Sequence, residues 1–173
     1  MHTFWPKYYL HFGIAIVILA SVLRLWQLGQ NPAALNRDEA ALAYNALLLT
    51  QTGQDEWNQS WPVALRSFGD YKLIGYAATL VPFFMLGWLS DAVVRLPAAL
   101  GGIGLVIVSM LLAIKVFRWP KEWGLVLGIF VALQPVFIFY SRMAWEANVA
   151  LFFLLSSCLC LWCKVKYRIL FDL

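Results

Sequence analysis

Apolar residues fall in five runs, roughly 8–28, 72–89, 95–117, 123–141 and 147–163, with one long polar interval after the first. About 20 mainly apolar residues cross a bilayer as a helix. The pattern therefore predicts an all-α integral membrane module spanning 1–173, with helices lying on the membrane in its first loop. The run at 72–89 is among the shorter ones, contains Gly75, Pro82 and Gly87, and is followed by Ser90-Asp91. It reads as an interfacial or re-entrant helix.

Inside the long polar interval, Asn36-x-x-Glu39 has the form of a capping box, in which side chains and backbone N–H groups satisfy one another. The following Ala40–Leu49 stretch is rich in helix formers, and Gly53 is a natural stop. The expected element is a helix on the membrane surface with Asp38 and Glu39 in its first turn. Both acids complement the helix dipole there, which is one sufficient reason for them. The loop Gly53–Pro62 is polar and aromatic, and its Asp55-Glu56 pair reads as solvation. Arg66 and Lys72 then flank Gly69-Asp70-Tyr71 and present cations to lipid phosphate, as general headgroup anchors or as a specific site.

Composition sharpens this picture. Only 13% of the 173 residues are charged, against roughly 25% in soluble domains, and 62% are hydrophobic. The net charge of +4 does not point to nucleic acid, because the basic residues cluster beside apolar runs: Lys7, Lys115/Arg118/Lys121 and Lys164/Lys166/Arg168. If all five runs crossed from a cytoplasmic amino terminus, the two later clusters would lie outside, against the positive-inside rule. If 72–89 does not cross, every cluster is cytoplasmic and 29–94 forms one external segment. About four transmembrane helices are therefore expected, in an inner (plasma) membrane, with a second acidic site, Arg142 and Glu146, on the same outer side as Asp38-Glu39.

The first run lacks an A-x-A-like cleavage site before a soluble domain and reads as an uncleaved span, ended by Arg24, which can snorkel, and Trp26. Cys158, Cys160 and Cys163 sit in the last run, where small apolar side chains in a helix suffice to explain them. His2 and His11 receive no role.

Five elements in order, Asp38-Glu39, Gly69-Asp70-Tyr71-Lys72, Arg95-Leu96-Pro97, Gln134-Pro135 and Ser141-Arg142…Glu146, resemble the GT-C membrane glycosyltransferases. The likeness is to bacterial relatives of the protein O-mannosyltransferases and the aminoarabinose transferase of lipid A. It covers nearly the whole chain. Lys72 is followed by Leu73-Ile74 where the family has Pro-Pro, and Glu146 stands where many relatives have Asp. Family members are several hundred residues long, so the match is to their amino-terminal portion.

The resemblance implies transfer of a sugar from a polyprenyl-phosphate carrier to an acceptor glycan, lipid or protein outside the membrane. Asp38 would be the general base, worth roughly 10²–10⁴-fold. Lys72, Arg66 and Arg142 would receive the lipid phosphate, and Glu39 and Glu146 would orient groups or help hold a divalent ion. The resemblance also implies that the isolated chain is inactive and that a chain supplying further spans is a candidate partner. The rival expectation is a non-catalytic scaffold, assembly partner or truncated remnant of such an enzyme.

Overall fold

A computed structural model describes residues 8–67 and 69–171, with 165–171 by backbone alone. His2 and Lys7, and the side chains of Lys166 and Arg168, lie outside what is described. The chain is mostly helical: α1 (Tyr9–Leu25), α2 (Arg37–Thr52), α3 (Gly75–Met85), α4 (Asp91–Leu111, continued by a π turn at Leu112–Val116), α5 (Lys121–Leu133), α6 (Pro135–Ser141) and α7 (Glu146–Phe171). Among the described residues, Asp91–Val116 and Glu146–Lys164 are long and apolar enough to cross a membrane, and the bent α5–α6 pair is a third candidate. The apolar helices α1 and α3 are shorter.

The α2 cap forms as its sequence dictates. Glu39 N donates to Asn36 Oδ1 (2.8 Å) and Asn36 N donates to Glu39 Oε2 (3.0 Å). Gly53 closes the helix in the left-handed region, φ 72°, which a residue without Cβ adopts at no steric cost.

The chain is not wholly α. Ala64–Arg66 (β1) and Tyr71–Leu73 (β2) pair as an antiparallel hairpin in the register Ala64↔Leu73, Leu65↔Lys72, Arg66↔Tyr71. Its turn contains Gly69 at φ 88° and is closed by Ser67 N donating to Asp70 O at 2.9 Å. The apolar run expected as a helix from 72 therefore yields its first residues to a strand, and α3 spans only 11 residues. That is about 16 Å of rise, roughly half a hydrocarbon core.

Two packed regions result. One gathers Leu42, Leu49, Leu65, Tyr76, Leu80, Val94 and Ala144, joining α2, the hairpin and α3 to the head of α4. Tyr76 ties the layer together by donating its hydroxyl to Val94 O at 2.8 Å. The other gathers Ile16, Ala20, Val106, Met110, Leu125 and Val131 between α1, α4 and α5. Helix α4 is the central element, packing on α1, α5, α6 and α7. Lys121 Nζ stands 5.6 Å from the Tyr9 ring, so α1 and α5 begin at the same end of the bundle.

Two expectations need correction. Arg24 does not snorkel: it is fully buried. Its guanidinium donates to Val131 O and Ala132 O, both at 3.1 Å, and to Ser141 Oγ at 3.2 Å. The reason is the 59° bend between α5 and α6. Pro135 has no N–H to give the carbonyl four residues earlier, and Arg24 supplies the missing donor. Asp55 is likewise buried (3% exposed), not a solvating loop acid. Its Oδ1 accepts from the backbone of Trp57 (2.9 Å) and Gln59 (2.8 Å) and shapes the turn.

Candidate functional site

The capped start of α2, the second hairpin strand and the head of α7 converge on one cleft of about 200 Å³. Asp38, Lys72, Trp145 and Glu146 line it, with Leu42 and Ala144 as apolar wall. The two acidic sites, a hundred residues apart in sequence, thus share a single cavity.

Glu39 makes that convergence possible. Its side chain is 1% exposed and takes four N–H donors. Oε1 accepts from Arg95 Nε (3.0 Å) and Ala144 N (2.8 Å). Oε2 accepts from Arg95 Nη2 (3.1 Å) and Asn36 N (3.0 Å). Burial alone would raise the Glu39 pKa, but the Arg95, Ala144 and Asn36 hydrogen bonds outweigh it and hold the carboxyl below its ordinary value. Arg95 spends its remaining donors on Leu28 O (3.1 Å), Pro32 O (2.8 Å) and Ala34 O (2.8 Å). One buried ion pair therefore joins α2, α4, the 28–34 loop and the head of α7.

Asp38 differs sharply from its neighbour. Its side chain is 48% exposed at the cleft, and Oδ1 accepts from Lys72 Nζ at 2.6 Å. The Lys72 hydrogen bond, then its charge and that of Arg37, lower the Asp38 pKa against a smaller desolvation effect. Lys72 is 12% exposed, held against the protein by the strand that carries it. Trp145 Nε1 is buried and has no hydrogen-bond partner among the described residues. A buried indole N–H without an acceptor is costly, and the Trp145 side chain borders the cleft.

The other expected site residues lie elsewhere. Strand alternation places Leu65 and Lys72 on one face of the hairpin and Arg66 and Tyr71 on the other. Arg66 accordingly stacks over the Trp57 ring, its guanidinium carbon 4.4 Å from the centroid, and does not line the Asp38 cleft. Arg142 turns to the end of α1. It donates to Leu23 O (3.0 Å), Trp26 O (2.8 Å) and Asn31 O (2.8 Å), with longer contacts to Arg24 O and Gln27 O.

A resident divalent ion does not fit these residues. Hard cations want several oxygen ligands, whereas the Glu39 oxygens are filled by N–H donors and Asp38 is paired with an ammonium. Among the described residues no group of three His, Cys, Asp or Glu side chains converges.

Arg95 and Arg24 are the residues that sequence reasoning underrated. Arg95 appeared only as part of Arg95-Leu96-Pro97, yet an arginine four residues into an apolar helix is itself a signal, since such a charge needs partners. Comparison with family models, with curated proteins and with solved structures finds no match to this chain.

Proposed function

We propose that this chain is a glycosyltransferase module of the GT-C kind, moving a sugar from a polyprenyl-phosphate carrier to an acceptor hydroxyl at the membrane surface. The observation that carries the reading is the cleft itself. An exposed carboxylate, a held ammonium, a second carboxylate and a buried indole donor without a partner meet where the apolar helices end.

The membrane arrangement in this proposal has four spans: α1, α4, the bent α5–α6 pair and α7. Lys115, Lys121 and Lys164 then gather at the end opposite the cleft, which the positive-inside rule makes cytoplasmic. The cleft faces outward, and α3, too short to cross, lies beside it.

In the reaction the acceptor oxygen attacks the anomeric carbon, forming the new glycosidic bond as the bond from that carbon to the phosphate oxygen breaks. The electron pair leaves with the polyprenyl phosphate, and the acceptor proton passes to Asp38. Lys72 has two roles in sequence. Paired with Asp38 it keeps the carboxylate ionised but weakly basic. Drawn toward an incoming phosphate it stabilises the leaving group and releases Asp38, whose basicity then rises. The Trp145 ring walls the sugar site, and Glu146 orients the acceptor or a sugar hydroxyl.

The test is transfer from a radiolabelled polyprenyl-phosphate sugar, with the chain in membranes that supply any partner spans. Asp38→Asn should lower product by about 10²-fold or more while donor retention persists. Equal product from both forms would remove Asp38 from the chemistry. Retention of donor with no product from either form would favour the scaffold reading. That second reading has its own observation: only 11% of the apolar stretch of α7 is buried, leaving a long face for lipid or another chain.

A further inference from the structure

A second groove, sharing no lining residue with the Asp38 cleft, lies between the end of α1 and α6. It encloses about 640 Å³ and is lined by Val22, Leu23, Trp26, Asn31, Ile138 and Arg142. Its walls are apolar, with Val22 52% and Trp26 68% exposed, and its polar end is the Arg142 guanidinium.

The arginines beside that groove are short of contacting carboxylates. Arg24, Arg95 and Arg142 stand at this end of the bundle, and the only carboxylate that any of them contacts among the described residues is Glu39, which takes Arg95. Among the described residues Arg24 and Arg142 contact neutral oxygens alone. Burial, and after it the Arg95 charge, lower the Arg142 pKa. Carbonyl dipoles solvate a guanidinium but do not neutralise it, and a cation at a low-dielectric boundary attracts an anion.

We propose that this groove binds an anionic membrane lipid, its phosphate on Arg142 and its first chain segments along Val22, Leu23 and Ile138. The apolar walls favour a lipid over a free anion: they reward a hydrocarbon chain and offer inorganic phosphate nothing. Trp26 at the rim belongs at headgroup depth. The proposal rests on the membrane reading of α1 and not on glycosyl transfer, so it stands or falls separately from the reaction.

The experiment measures lipid retained on the purified full chain, by native mass spectrometry from neutral detergent, after addition of phosphatidylglycerol or phosphatidylcholine. A parallel thermal-shift arm adds inorganic phosphate. Phosphatidylglycerol should be retained about fivefold over phosphatidylcholine, the discrimination expected of one basic side chain. Asn31→Asp sets a carboxylate at the groove rim while leaving Arg142 and its carbonyl contacts in place, and should bring the ratio to near one with melting temperature unchanged. Arg142→Gln should also abolish the preference, but it removes the brace on α1, so Asn31→Asp is the deciding variant. Equal retention of the two lipids by the unmodified chain would overturn the proposal. So would an undiminished preference in Asn31→Asp, which would assign the anionic lipid to the lysines at the other end. Protection by inorganic phosphate equal to that by phosphatidylglycerol would overturn the lipid assignment.

Discussion

Arg95→Met is the most informative single perturbation of the fold, because it removes the cation on which the cleft is built. Arg95 is fully buried and makes two hydrogen bonds to Glu39 and three to loop carbonyls. Methionine fills similar volume without charge, so the loss is electrostatic and not a cavity. Glu39 would remain in a site 1% exposed, with only two backbone N–H donors. Breaking a buried pair from one side costs about 3–5 kcal/mol, much of it the orphaned charge. Removing both charges together, as Arg95→Met with Glu39→Leu, should cost less than the sum of the single losses by about 1–3 kcal/mol. The assay is reversible unfolding in mixed micelles, titrating the denaturing detergent and following far-ultraviolet circular dichroism. A loss below about 1 kcal/mol for Arg95→Met, or strict additivity in the double variant, would refute the claim that this pair organises the fold. The same pair sets an acid limit. The folded Glu39 carboxyl lies below its ordinary value of 4.5, so its stabilisation is complete above that pH and is lost as pH falls through the folded value. In Glu39→Gln the stability should be lower at neutral pH, and its decline below pH 4.5 should flatten.

Gly102→Ala should destabilise by about 1–3 kcal/mol in the same assay, because an added Cβ would collide with Ser141 Oγ, lie 2.7 Å from Ser141 Cβ and 3.0 Å from Arg24 Nε. Wild-type stability would mean that α4 and α6 are not packed as described. Leu89→Cys, in a background without native cysteines, should label with an impermeant thiol reagent added from outside, since Leu89 is 60% exposed on the cleft side of α4. Labelling only after the membrane is opened would reverse the proposed orientation.

What the sequence disclosed was mostly local. Asn36, Glu39 and Gly53 announce the bounds of α2 because caps are short-range chemistry, whereas the basic clusters placed Asp38 and Glu146 on one side only through a four-span expectation and grouped with them Arg142, which lies outside the cleft. The hairpin was hidden because strands of three residues carry too little periodicity to compete with the apolar run that begins at Lys72. Arg66 and Lys72 looked equivalent in sequence, and only the strand register places them on opposite faces. The partners of Arg24, Arg95 and Arg142 were not legible at all. Apart from Glu39 and Ser141 they are backbone carbonyls, which every residue possesses and no sequence marks.

The buried Arg24 also constrains how the chain is made. Its carbonyl partners on Ala132 and Val131 lie 108 and 107 residues downstream. At roughly 5–20 residues per second of synthesis, they follow about 5–20 s later. In the four-span arrangement proposed above, Arg24 in the last turn of α1 would lack its carbonyl partners during that interval and would keep its guanidinium at headgroup depth. In that arrangement the end of α1 is fixed only once the proline-broken α5–α6 pair has been translated. Ribosome-stalled chains ending before Val131 should leave α1 extractable by conditions that strip peripheral segments, and chains continuing beyond Ser141 should lock it in place.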